Sequence, residues 1–121
     1  MTEMPPAFAI IACSRCKNAP GRPAVDVLRE RLGPHMPAGG FRLETVACLA
    51  GCERPLAVAF TAPAKAAYLF GDIDPDQDAE ALLAFGRQYR ALADGWCNEG
   101  QRPAGLRGKT LARIPHLGGL A

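Results

Sequence analysis

The sequence predicts an α/β domain built on a four-stranded mixed sheet with flanking helices and an irregular C-terminal tail. Three observations point there: two strand-like apolar runs separated by a helical stripe, two further short apolar runs joined by a turn, and an acidic stretch opening a long helical pattern. The 121 residues divide on this reading into a domain over 1–94 and a tail over 95–121 packed on it.

Ala7-Phe8-Ala9-Ile10-Ile11-Ala12 is a continuous apolar run ending at Cys13, the pattern of a strand buried on both faces. Ser14 to Pro20 reads as a loop. Pro23 suits the first turn of a helix that carries Val25, Leu28 and Leu32 on one stripe and stops at Gly33-Pro34. After a flexible connection over Pro34 to Gly40, Phe41 to Ala47 alternates as a half-buried strand and ends at Cys48. Strand, helix and strand in this order make the two strands parallel, so their carboxyl ends open at one edge of the sheet. Leu56 to Phe60 and Lys65 to Phe70 read as an antiparallel hairpin turning at Thr61 to Ala64. Asp72, Asp74, Asp76, Asp78 and Glu80 then precede Ala79, Leu82, Leu83, Gly86, Tyr89, Leu92 and Ala93, which share a helix face. Negative charge at that end suits a helix N-terminus, and the stretch lacks the glycine and terminal glutamate of a calcium loop. From Gly95 onward the chain is rich in glycine and in basic residues, Arg102, Arg107, Lys109 and Arg113, without a clear period.

Composition excludes several classes. An apolar fraction of 49% and a charged fraction of 21% are ordinary for a globular domain. A net charge of +2 argues for no nucleic-acid partner and no anionic membrane surface, and the basic tail residues are expected to pair with the domain's own acids. No apolar run reaches the roughly 18 residues of a spanning helix, and the N-terminus lacks the charged and apolar regions of a signal peptide. The expected location is cytoplasmic, where thiols stay reduced and paired cysteines hold metal or do redox chemistry more often than they form disulfides. Five cysteines, an odd number, also count against a disulfide framework.

The chemistry-bearing residues are therefore Cys13 and Cys16, spaced Cys-x-x-Cys, and Cys48 and Cys52, in Cys48-Leu-Ala-Gly-Cys52-Glu-Arg-Pro55. Each pair follows a strand, and the two strands are parallel neighbours, so the pairs are expected at one edge as a four-thiolate site. Such a site suits zinc or an iron–sulfur cluster, and the Cys13–Cys16 pair alone also suits a reactive dithiol. Four thiolates leave a charge of about −2 on either Zn²⁺ or an oxidised two-iron core, so charge does not choose between them. Arg15, Lys17 and Arg54 flank the cysteines and either offset that charge or simply face solvent. Gly51, lacking Cβ, would let backbone amides approach the sulfurs. Cys97 stands outside both pairs, and His35 and His116 read as loop residues. No Ser-His-Asp order, phosphate loop or nucleic-acid motif occurs.

The cysteine pairs, together with Ala67-Tyr68-Leu-Phe-Gly71-Asp72, Asp94-Gly95, Arg102-Pro103 and Leu111-Ala-Arg113-Ile-Pro115, resemble a bacterial family of small predicted metal-binding proteins of unknown function, associated by context with cobalamin synthesis and cobalt handling. More distantly, the element order and the Cys48-x-x-x-Cys52 step are similar to thioredoxin-like [2Fe-2S] ferredoxins. That resemblance implies a thioredoxin-like fold and a cluster held by Cys13, Cys16, Cys48 and Cys52. Here Cys13 and Cys16 stand closer than the ferredoxins' first pair, a spacing equally at home on zinc. Pro55 occupies a place similar to the cis-proline of thioredoxins. The leading expectation is a non-enzymatic [2Fe-2S] protein that passes single electrons to a redox partner protein or senses redox state. The alternatives are a zinc-binding or cobalt-handling module on the same cysteines, and a Cys13–Cys16 dithiol oxidoreductase. A homodimer burying the helix faces is compatible with the pattern.

Overall fold

The structure, a computed structural model, describes residues 7–13, 24–47 and 56–115. Strand β1 (Phe8–Cys13) is followed by helix α1 (Ala24–Leu32), a 3-10 turn (Gly33–His35), a single helical turn α2 (Met36–Gly39) and strand β2 (Phe41–Val46). Strands β3 (Val58–Thr61) and β4 (Ala67–Phe70), helix α3 (Ala79–Ala91), two 3-10 turns (Glu99–Gln101 and Ala104–Leu106) and strand β5 (Thr110–Ile114) complete the order. The sheet order is β2-β1-β3-β4-β5.

β1 and β2 pair in parallel from Phe8 opposite Phe41 to Cys13 opposite Val46. β3 runs antiparallel to β1, and β4 to β3. The expected hairpin is thus present, with Ala64 at φ +58° in its turn. β3 leaves the Cys13 edge and β4 returns to it, and there Leu56, before β3, and Ile73, after β4, exchange backbone hydrogen bonds of 3.4 and 3.2 Å.

The sheet has five strands, not four. β5 comes from the stretch read as an irregular tail and pairs antiparallel with β4, with a register shift between Leu69 and Phe70. It escaped the sequence pattern because it lies at the sheet edge, where its residues are half-buried or exposed. The connection before β2, read as flexible, likewise holds α2, which ends at Gly40 with φ +68°. That left-handed conformation favours glycine and lets the amide of Gly40 bond back to the Met36 carbonyl.

The apolar stripes face where their spacing predicts as far as Tyr89; α3 ends at Ala91, so Leu92 and Ala93, read on the same helix face, lie past its end, and Ala93 is exposed. Val25, Leu28 and Leu32 of α1 are buried, as are Leu82, Leu83, Phe85, Gly86 and Tyr89 of α3. Beneath α3 lies an aromatic cluster: Phe85 meets Phe60 edge-on at 4.8 Å between ring centres, Tyr68 at 5.1 Å and Phe70 at 5.2 Å. Edge-to-face geometry aligns the positive rim of one ring with the negative face of the next. Gly86 lets the Phe8 ring pack against α3, because a Cβ there would sit 3.0 Å from it.

Asp78 occupies the α3 N-cap without capping through its side chain. Its carboxylate instead accepts from the Asp74 amide at 2.8 Å and from Lys109 Nζ at 2.5 Å, while Asp74 accepts from the amides of Asp76 and Gln77. The acidic run therefore builds the turn into α3 and ties it to the segment leading to β5.

Candidate metal centre

Cys13 is the last residue of β1 and is fully buried. The parallel register sets it opposite Val46, the last residue of β2. Its Sγ donates to the carbonyl of Ala47 at 3.3 Å, and its amide donates to the carbonyl of Ala57 at 3.1 Å. The end of β1 is thus clasped between the exit of β2 and the entry to β3. Ala47 immediately precedes Cys48, and Leu56 is four residues past Cys52. Cys16, Cys48 and Cys52 lie outside the described residues, as do Arg15, Lys17, Gly51, Arg54, Pro55 and His116. Among the described residues, no group of three or more His, Cys, Asp or Glu side chains is placed to hold a metal ion. His35 ends an exposed 3-10 turn, in keeping with its reading as a loop residue.

The chemistry of the predicted donor set fits a metal or cluster. Cysteine thiolates are the ligands of both structural zinc and [2Fe-2S] cores, and the thiol proton that Cys13 directs at Ala47 is the one a metal displaces. What the described geometry supplies is the edge itself, with Cys13 on it and hydrogen-bonded to Ala47, the residue that precedes Cys48 in the sequence.

Cys97 has a role that the sequence pattern did not reveal. It is buried, its amide donates to the Tyr68 hydroxyl at 3.0 Å, and its Sγ lies 3.5 Å from that oxygen. The Tyr68 hydroxyl in turn donates to the Gly95 carbonyl at 2.6 Å. Burial, followed by the contact with the Cys97 side chain, pushes the Tyr68 hydroxyl up to about 12, partly offset by the Cys97 amide and by Arg102. Burial, reinforced by Tyr68, also raises the pKa of Tyr89, which donates to the Ala66 carbonyl. The high frequency of free cysteine in protein interiors was the available signal for Cys97.

Of the basic residues after Gly95, Lys109 pairs with Asp78 as expected. Arg107 donates to the Gly100 carbonyl, and Arg102 and Arg113 both donate to the Cys97 carbonyl, at 3.0 and 2.8 Å. Among the described residues these three thus serve main-chain acceptors and, for Arg102, the Thr110 hydroxyl rather than carboxylates. No helix among the described residues is long and apolar enough to cross a membrane.

Comparison with curated proteins and with solved structures finds no match. A family model described as "Protein of unknown function (DUF1636)" matches residues 10–116, and the chain belongs to that family.

Proposed function

We propose that this protein binds a [2Fe-2S] cluster through Cys13, Cys16, Cys48 and Cys52 and uses it for one-electron transfer or redox sensing with a partner protein. The observation that carries the reading is the parallel register of β1 and β2, which ends with Cys13 opposite Val46 and Cys13 Sγ bonded to Ala47. Cys48 is the next residue, and chain length limits how far Cys16 and Cys52 lie from that edge. The same reading takes the fold as thioredoxin-like, supported by a parallel strand–helix–strand unit followed by an antiparallel hairpin and a helix.

When bound, the cluster supplies a one-electron couple whose potential depends on burial and on hydrogen bonds to sulfur. This chain's contribution is to hold Cys13 in a dry environment, at the end of a strand bonded on both sides. Excluding water there limits hydrolysis of the cluster and makes nearby amide dipoles count for more.

The test is visible absorption of anaerobically purified protein and of single Cys→Ser variants. Substitution of Cys13, Cys16, Cys48 or Cys52 is expected to abolish or shift the bands, and Cys97→Ser to leave them in place. Bands indifferent to Cys48 and Cys52 would overturn the ligand set. A colourless wild type carrying about one zinc per chain would replace the cluster with a structural or metal-handling site.

A further inference from the structure

At the β5 end of the sheet order, three positions away from β1, an open pocket of about 410 Å³ is lined by Asn98, Glu99, Arg102, Thr110 and Arg113 among others. Two guanidinium groups converge there. Arg102 is only 4% exposed, donates to Thr110 Oγ1 at 2.9 Å and to the Cys97 carbonyl at 3.0 Å, and lies over the Tyr68 ring. Arg113 donates to the same Cys97 carbonyl at 2.8 Å and stacks 3.7 Å above the ring of Trp96.

Neither arginine is ion-paired among the described residues. Arg102 Nε is buried without a hydrogen-bond partner. Two like charges therefore share one neutral oxygen, in a place where a buried cation is costly unless compensated. The acid among the lining residues, Glu99, accepts through Oε1 from the Gly108 amide at 2.6 Å. Thr110 accepts from Arg102, which leaves its own hydroxyl proton to donate, and Asn98 adds an amide side chain.

We propose that this pocket binds a small oxyanion, a carboxylate or a phosphate, clamped by Arg102 and Arg113 and supported by Thr110 and Asn98. Planar guanidinium forks match both anions with paired hydrogen bonds, and an incoming anion supplies the counter-charge the arginines lack. The proposal is independent of the cluster reading, since no cysteine thiolate enters it.

The chain carries a single tryptophan, and Arg113 lies on it, so Trp96 emission reports on the pocket. The full chain is titrated with succinate and, separately, with inorganic phosphate, against sodium chloride at matched ionic strength, while the thermal midpoint is followed on the same samples. A saturable change in emission and a raised midpoint with at least one of the two, absent with chloride, is the expected result; whichever anion acts identifies the source of the oxyanion. Arg113→Gln, read by calorimetry because it alters the reporter itself, is expected to weaken binding about tenfold or more. Arg102→Lys, checked for folding by circular dichroism, keeps the charge but loses the fork and should also weaken it; should that variant not fold, Asn98→Ala takes its place. No saturable response to either anion, or binding unchanged in Arg113→Gln, overturns the proposal.

Discussion

Cys13 Sγ donates to the carbonyl of Ala47 across 3.3 Å, so the last residue of β1 is hydrogen-bonded to the residue that directly precedes Cys48. The bond couples two strand ends that also share a ladder register. It assigns Cys13 a structural task besides the ligand role proposed for it, and substitution can separate the two. Cys13→Ser keeps a donor for Ala47 but offers a poor ligand to a soft metal. Its far-UV circular dichroism should match the wild type while its bound metal is lost; a variant that retains wild-type metal content would contradict the ligand role.

Gly95 is held at φ +72°, and a Cβ there would stand 2.7 Å from Tyr89 Cε1 and 3.3 Å from the Ala66 amide nitrogen. Gly95→Ala therefore meets both backbone strain and backbone crowding. A loss of about 1–3 kcal/mol in urea denaturation is expected, and a loss under about 0.5 kcal/mol would show that the turn is not constrained as described.

The chain has two tyrosines, both buried, and both hold their protons more tightly when folded. Because the folded pKa of Tyr68, about 12, lies above the value of about 10 expected for an unfolded tyrosine, its contribution to stability is intact below about pH 10 and is lost as pH rises through that interval. Tyr89 acts in the same direction. The urea midpoint should fall between pH 10 and pH 12, and tyrosinate absorbance at about 295 nm should rise only as the chain unfolds. Tyrosinate forming near pH 10 in folded protein would contradict the burial of both hydroxyls.

Lys109 Nζ bonds Asp78 Oδ2 at 2.5 Å and the Asp72 carbonyl at 2.8 Å, joining the lead into β5 to the start of α3. Asp78 is 8% exposed, so removing the ammonium leaves a largely buried carboxylate short of a partner. Lys109→Met should cost about 1–3 kcal/mol by chemical denaturation, whereas a rim ion pair would cost about 0–1.

Elements with strong periods were legible in the sequence. The unbroken run of β1, the 3–4 spacing of Val25, Leu28 and Leu32, and the longer stripe from Ala79 to Tyr89 all fold where their patterns place them. β5 was hidden because its edge residues, four half-buried, Arg113 among them, and Ile114 exposed, carry no alternation. Arg102 was hidden for another reason: arginine is rarely buried, and the Cys97 carbonyl, Thr110 and Tyr68 that surround it are brought in by tertiary packing. Of the proposed ligands, Cys13 stands at the strand end that its apolar run predicted.

The central claim is tested most directly by quantifying iron, acid-labile sulfide, zinc and cobalt in protein purified without oxygen, with the visible spectrum recorded before and after dithionite. About two irons and two sulfides per chain, with bands that bleach on reduction, are the predicted result. A colourless protein with about one zinc or cobalt and no sulfide would contradict the cluster and leave the cysteines to a metal-binding role without electron transfer.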